Sequence, residues 1–132
     1  MDHISMPSET TQNWNPCLSA CPSRHVLNRL ADKWALLIIS VLSEGPIRFN
    51  QLRRNIDGVS QKMLSQTLKN LERDGLVRRN AYATVPVTVE YEMTELGKTL
   101  SQTIVALRNW TSQHMNKILL SQEAYDKRQK LP

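Results

Sequence analysis

Aromatic residues, glycine and cysteine are all scarce in this chain, and each shortage excludes a class of protein. Aromatic side chains make up 5% of the 132 residues, and there are only four glycines and two cysteines. Four glycines leave no glycine-rich loop of the kind that holds a nucleotide phosphate, and two cysteines cannot support a disulfide-dependent fold. The longest apolar run, residues 35–42, is interrupted by Ser40 and is far shorter than the roughly 20 residues of a membrane-spanning helix.

The remaining composition is that of an ordinary globular domain. Hydrophobic residues are 40% and charged residues 22% of the chain, which is long enough for one domain. Residues 1–5 do not begin a charged segment followed by an apolar core, the pattern of a signal peptide. We therefore expect a soluble cytoplasmic protein with no membrane partner. No constellation of residues predicts an enzyme or a bound cofactor.

Positive charge is concentrated in the middle third of the chain. The formal net charge is +5, from 17 Lys and Arg against 12 Asp and Glu. Between residues 44 and 80 there are eight basic and four acidic residues, whereas residues 1–43 are balanced. A localised basic excess indicates a polyanionic partner such as DNA, although an ordinary solvated face has the same composition.

The first helices are predicted from the apolar pattern after residue 20. Residues 1–20 are rich in Ser, Thr, Asn, Gln and Pro without apolar periodicity, which predicts a flexible N-terminal tail. Pro22 suits the first position of a helix, which makes Cys21 its N-cap. The segment 34–42 is apolar nearly all round and predicts a central core helix, which the Gly-Pro pair at 45–46 ends.

A helix-turn-helix pattern follows this core helix. Asn50 is placed to cap a short third helix, and residues 57–58 are an Asp-Gly turn signal. Ser60 is the predicted N-cap of a fourth helix that runs over 61–74, and Gly75 ends it as a left-handed cap. Leucines spaced i, i+4 and i+7 within the fourth helix predict a buried stripe.

Two short strands and a long helix complete the chain. Residues 77–83 and 87–93 predict the strands of a wing. Thr94 then caps a helix from Glu95 to about Leu120. The fold class is therefore mostly α with a small β wing (α+β), in the form of a winged helix-turn-helix with a long C-terminal dimerisation helix.

The division of the chain and its assembly follow from these elements. We expect a winged-helix DNA-binding and dimerisation domain over 21–120 and a C-terminal tail over 121–132. The last helix, about 26 residues or 39 Å long, is longer than so small a core can cover. Its apolar face needs a second surface, which predicts a homodimer; that face carries Leu96, Leu100, Ile104, Leu107 and Trp110.

The polar face of the fourth helix has the side chains that read bases in a major groove. Gln pairs with adenine, Lys reaches guanine, and Ser bonds a base or a phosphate. We predict DNA contacts at Ser60, Gln61, Lys62, Ser65, Gln66 and Lys69. The alternative is an ordinary polar helix face, which the helix-turn-helix and the wing after it disfavour.

Arginines outside the fourth helix can reach the DNA as well. Arg48 precedes the third helix and is placed to contact the backbone. Successive strand residues face opposite ways, so only one of Arg78 and Arg79 points at DNA, and we assign that contact to Arg78. Glu90 is expected to pair with a wing arginine.

Cys21 is a candidate redox-sensing thiol, with Cys17 as its candidate partner. As N-cap it faces the positive end of the first helix, and Arg24 and His25 are near in sequence; both effects favour the reactive thiolate. The alternative is a buried, inert cysteine, and Cys17 either resolves oxidised Cys21 or is an idle thiol of the tail. Cys17, Cys21 and His25 do not predict a metal site, because three ligands leave a structural zinc site incomplete.

Three blocks of residues carry a family resemblance. The blocks are Cys21-Pro22, Lys33-Trp34, Gly45, Arg48-Phe49 and Leu52; Ser60, Lys62, Leu64, Leu68, Leu71 and Asp74-Gly75-Leu76-Val77; and Pro86, Val89-Glu90-Tyr91, Thr94, Leu96-Gly97, Leu100 and Trp110. Over about residues 21–115, their order and spacing resemble the HxlR family of bacterial winged-helix transcription regulators, relatives of the MarR group. The wing departs from the family at 85–87, where members often carry a second proline or an arginine.

The resemblance implies a specific function. It implies a homodimer that binds double-stranded operator DNA through the fourth helix and the wing. For several members it also implies a response to thiol-reactive small molecules through the cysteine that matches Cys21. Two alternatives stay open: the same regulator controlled by a small-molecule ligand, and a winged-helix module that binds protein instead of DNA.

Overall fold

The elements of the chain follow the expected order of a winged helix-turn-helix. The structure, a computed structural model, describes residues 13–131. In chain order the elements are α1 (Pro22–Leu30), α2 (Lys33–Leu42), β1 (Ile47–Arg48), α3 (Phe49–Asn55), α4 (Gln61–Arg73), β2 (Val77–Tyr82), β3 (Thr88–Met93) and α5 (Glu95–Gln129). The mostly α class with a small β wing is confirmed. Most of the predicted N-terminal tail, residues 1–12, lies outside the described residues.

Helix α2 forms the centre of the core. The Asp32 carboxylate accepts bonds from the backbone N–H groups of Trp34 and Ala35, at 3.1 and 3.4 Å, so α2 begins at Lys33, one residue before the predicted start. Its apolar side chains are buried beside the leucine stripe of α4, as expected; this core includes Ala35, Ile38, Ile39, Leu42, Leu64, Leu68 and Leu71. Within residues 13–131, every helix is too short or too polar to serve as a membrane span.

The two ends of α4 follow the predicted capping. The Ser60 hydroxyl accepts a bond from the Met63 N–H at 3.0 Å, and Gly75 takes the left-handed φ of +78°. The predicted cap of α3 is wrong. That helix starts at Phe49, with Arg48 as its N-cap residue instead of Asn50, because Phe49 is drawn into the core beside Tyr91, with ring centroids 6.4 Å apart.

A three-stranded antiparallel sheet forms the wing and its base. Strand β3 is central, with β1 on one side and β2 on the other. The register places Arg78 opposite Glu92, Arg79 opposite Tyr91, and Arg48 of β1 opposite Glu90. The short extended piece at 47–48 therefore joins the two predicted wing strands in one sheet.

Helix α5 is longer than its apolar pattern predicts. It has 35 residues and ends at Gln129, not near Leu120, which makes it about 52 Å long at 1.5 Å per residue. Residues 121–129, which were predicted to form a tail, are helical. Glu123 and Lys127, four residues apart on this helix, form an ion pair of 3.1 Å that stabilises it. The apolar signal ends before the helix does, which is why the sequence places its end too early.

The first turn of α5 packs closely against the start of β2 and is hydrogen-bonded to the residues before it. The Thr94 hydroxyl accepts a bond from the Gly97 N–H at 3.0 Å and donates one to the Gly75 carbonyl at 2.6 Å. A Cβ on Gly97 would overlap the carbonyl oxygen of Leu76 and lie 2.6 Å from the terminal methyl carbon of Met93. The close approach of helix and strand therefore requires glycine at this position.

We expect Gly97→Ala to destabilise the fold despite the better helix propensity of alanine. The clash is with a backbone atom that cannot rotate away, and overpacking of this kind costs about 1–3 kcal/mol. Urea unfolding measures the loss. Gln102→Ala, at an exposed position of the same helix, serves as the control and should stay within about 0.5 kcal/mol of the parent. A Gly97→Ala protein as stable as the parent would contradict the close approach.

Candidate nucleic-acid interface

The predicted base-reading side chains lie together on the outer face of α4. Leu64 and Leu68 on the opposite face are 0% and 1% exposed. The predicted contacts are solvent-exposed, apart from Ser65, which is half-buried; the exposed ones are Ser60, Gln61, Lys62, Gln66 and Lys69. The Gln66 amide donates to the Asn70 side chain at 3.3 Å. Apart from Met63, which is 42% exposed, this face is therefore a polar surface open to solvent.

An open groove lies beside this face, between the α3–α4 unit and the wing. Its volume is about 890 Å³. Three arginines and one carboxylate line it, namely Arg48, Arg54, Arg79 and Glu90. Ser65 of α4 forms part of the same lining, so the predicted reading helix opens directly onto a basic groove.

Of the two wing arginines, Arg79 lines the groove and Arg78 does not. The Arg78 guanidinium is held in an ion pair with Glu92 at 2.6 Å, on the outer face of the hairpin. Arg79 points to the other face, where it lines the groove with Ser65. Arg78 and Arg79 therefore point to opposite faces, as the alternation of the strand predicts, and the DNA contact assigned to Arg78 stays a prediction.

The two wing glutamates share a face of the hairpin with Arg78, and Glu90 also reaches the lining of the groove. Glu92 also accepts a bond from the Asn80 amide at 3.1 Å. Glu90 accepts one from the Tyr82 hydroxyl at 3.2 Å, and its carboxylate charge is the main cause that raises the pKa of Tyr82. The expected pairing of Glu90 with a wing arginine is therefore wrong, and Glu92 has that role.

Cys21 is the N-cap residue of α1, as predicted, but its thiol has other partners than expected. Within residues 13–131, its Sγ makes no capping bond to the helix. It lies 3.0 Å from the Ser23 hydroxyl and accepts a bond from the Asn15 N–H at 3.3 Å. The Ser23 hydroxyl is the main cause that lowers the pKa of Cys21, and desolvation by partial burial opposes it.

Arg24 does not supply charge to the thiol, contrary to expectation. Its guanidinium donates to the carbonyl oxygens of Pro16 and Cys17, at 2.8 and 2.9 Å. These bonds fold the segment before α1 back onto the helix. Cys17 is exposed and Cys21 half-buried, and both are free thiols. The described residues contain no cluster of three potential metal ligands.

Helix α1 carries an apolar surface and a polar link to α4. Val26 and Leu27 are 36% and 53% exposed, and with Trp14 they line a shallow apolar depression of about 470 Å³. At the other end of α1, Arg29 donates two bonds to the Asp74 carboxylate, at 2.9 and 2.8 Å. No local sequence pattern predicts this pair, because its two members are far apart in the chain.

Comparisons with known proteins agree with this geometry. Residues 29–119 match the model of the HxlR-like helix-turn-helix family. YtfH of Escherichia coli (strain K12), an uncharacterized HTH-type transcriptional regulator, is 42% identical over 119 residues, covering 90% of this chain and 94% of the relative. The structure of the transcriptional regulator ytfH from Salmonella typhimurium superposes with a TM-score of 0.80 at 40% identity, covering 84% and 99% of the two chains. The redox regulator HypR in its oxidized form gives a TM-score of 0.65 at 35% identity, covering 70% and 96%.

We expect Ser23→Ala to make Cys21 less reactive at neutral pH. A hydroxyl that donates to the thiolate favours the charged form, so its removal raises the pKa of Cys21. The rate of iodoacetamide alkylation, followed by mass spectrometry across pH, should then rise at higher pH than in the parent. Cys17 provides the internal reference in the same sample. An unchanged pH–rate profile for Cys21 would rule out Ser23 as the cause.

Proposed function

This chain belongs to the HxlR-like helix-turn-helix family of transcriptional regulators, and we propose that it acts as a cytoplasmic homodimer on operator DNA. The family consists of DNA-binding regulators and not of enzymes. The observation that carries the proposal is the polar face of α4, which lies opposite a buried leucine stripe and opens onto a groove lined by three arginines. The alternative protein-interaction module would require an apolar face there.

In this proposal, α4 enters the major groove. Gln61, Lys62, Ser65 and Gln66 read base edges. Lys69 of α4 and the groove arginines hold phosphates, which position the protein without reading sequence; these arginines are Arg48, Arg54 and Arg79. Ser60 keeps its hydroxyl hydrogen for a phosphate while its oxygen caps the helix.

A second copy of the chain is the proposed cover for the apolar surface of α5. Ile104 is buried in the protomer, but Leu107 and Trp110 are 49% and 50% exposed. A helix about 52 Å long extends well past the core that it packs on, and half-exposed Leu and Trp side chains on it need a partner. A twofold dimer would place its two α4 helices about 34 Å apart, one turn of DNA, which predicts an inverted repeat as operator.

The proposed control is modification of Cys21 by an oxidant or electrophile. The lowered pKa of Cys21 favours the reactive thiolate, and HypR, a structural relative, is described as a redox regulator. Modification would break the contacts of Sγ with Ser23 and Asn15 at the start of α1. Because the Arg29–Asp74 pair joins the end of α1 to the end of α4, a shift of α1 would move the reading helix.

We expect Lys62→Ala and Gln66→Ala to lose specific DNA binding by about 1–3 kcal/mol for each lost base contact. Both side chains are exposed, so the fold and the dimer, of twice 15.2 kDa, should survive. A gel shift on the DNA upstream of the chain's own gene measures the loss. Lys98→Ala, which removes the same charge from α5, is the matched control. Parent-like affinity in both α4 variants would exclude α4 as the reader.

We expect Cys21→Ser to abolish the response of DNA binding to oxidant while leaving the unmodified affinity unchanged. Serine keeps a hydrogen-bonding group at the N-cap, but its hydroxyl does not form a thiolate and does not react with the oxidant. Gel shifts with and without diamide make the measurement. Cys17→Ser is the matched control. In this variant the oxidant should still modify Cys21. If Cys21→Ser still responds normally to diamide, Cys21 is not the sensing thiol and the proposed control is wrong.

A further inference from the structure

Met63 is an apolar side chain that the fold leaves exposed among the polar residues of α4. Between residues 43 and 81, all of which the structure describes, it is the only large hydrophobic residue with an exposed side chain, at 42%. It also lies outside the cluster of buried and partly buried apolar side chains that forms the core. Packing within one protomer therefore does not explain why a methionine occupies this position.

The backbone of Met63 is held in place from both sides. Its N–H donates to the Ser60 hydroxyl at 3.0 Å, and its carbonyl accepts a bond from the Thr67 hydroxyl at 2.7 Å. Met63 thus has a fixed position in the first turn of α4. The second helix of a helix-turn-helix contacts base edges with its N-terminal residues, so this is the turn that comes closest to the bases.

The side chains around Met63 indicate what it contacts. Gln66, three residues later, is its neighbour on the helix surface, and the Gln66 amide donates to Asn70 at 3.3 Å. Lys62 and Lys69 are exposed on the same outer face. Ammonium and amide groups suit an anion with hydrogen-bonding edges, which describes the major groove of DNA. A protein partner would need a contiguous apolar patch, and a single methionine does not form one.

We propose that Met63 selects thymine, by packing against the 5-methyl group of one thymine in each half-site of the operator. This rests on the proposed function and names a base that α4 prefers. Thymine is the one base that presents a methyl group in the major groove. The flexible, polarizable thioether of methionine adapts to such a small apolar surface. Gln66 beside it has the amide that pairs with adenine, so the two residues together favour A·T pairs.

The test removes the methyl group from the DNA and leaves the protein unchanged. Fluorescence anisotropy is measured on a duplex from upstream of the chain's own gene, trimmed to its footprint, in which each thymine is replaced singly by deoxyuridine. One thymine in each half-site should lose affinity about three- to fivefold on replacement, because the burial of about one methyl group is lost. Replacing both should multiply the two losses, since separated positions are roughly additive.

Variants of Met63 then show whether that methyl group meets this side chain. Met63→Ala should bind the thymine duplex about three- to tenfold more weakly than the parent, and it should not distinguish thymine from deoxyuridine at the sensitive position. Met63→Leu keeps an apolar side chain and should keep the preference. Neither change alters charge, so the salt dependence and the binding of an unrelated duplex should match the parent. Lys62→Ala is the matched control: it should weaken binding but retain the full loss on deoxyuridine.

The outcomes separate this proposal from the proposed function. If no deoxyuridine weakens binding by the parent, or if Met63→Ala retains the parent's loss at every position, Met63 does not read a thymine methyl and the proposal is wrong. The proposed function survives that result as long as Lys62→Ala weakens binding. If Lys62→Ala and Gln66→Ala both bind like the parent, α4 is not the reader, and the proposed function fails as well. Should Met63→Ala unfold, the deoxyuridine scan on the parent and Met63→Leu still decides the question.

Discussion

The burial of the α4 leucine stripe against α2 is the contact on which the rest of the nucleic-acid interface depends. Leu64, Leu68 and Leu71 are at most 1% exposed, and Ser60 and Gly75 define where the helix begins and ends. A helix with one face fixed in the core has no freedom of rotation about its axis. The polar face is therefore held outward, and base-reading side chains need such preorganisation to bind without a large entropic cost.

The register of β2 on β3 determines the surroundings of the two wing arginines. Opposite Glu92, Arg78 is neutralised, whereas Arg79, one residue later, lines the groove beside α4. A slip of one residue in the register would exchange the two faces. The close packing of Gly97 on the Leu76 carbonyl and the bond from Thr94 to Gly75 anchor the base of the hairpin. The positive side of the wing thus depends on contacts made at its base.

Helix α1 joins two sites that are distant in the chain. Its first turn carries the Cys21 thiol, and its last turn carries Arg29, whose bidentate bond to Asp74 raises the pKa of the guanidinium and keeps it charged. Fully exposed ion pairs contribute little to stability, but Arg29 and Asp74 are partly buried, and a bidentate pair also fixes geometry. In the proposed regulator, the pair serves as a mechanical link between the thiol and the end of the reading helix.

The sequence by itself determined the features that depend on neighbouring residues. Caps at Ser60 and Thr94, the left-handed glycine at position 75 and the leucine spacing of α4 are local, so they predict the winged helix-turn-helix and the face that it presents. Only the tertiary structure decided which wing arginine lines the groove, because β2–β3 register and packing set that. It also decided the partners of Cys21, since the segment 13–20 folds back through the bonds of Arg24. The Arg29–Asp74 pair and the groove join residues far apart in the chain, and no local pattern encodes such distances.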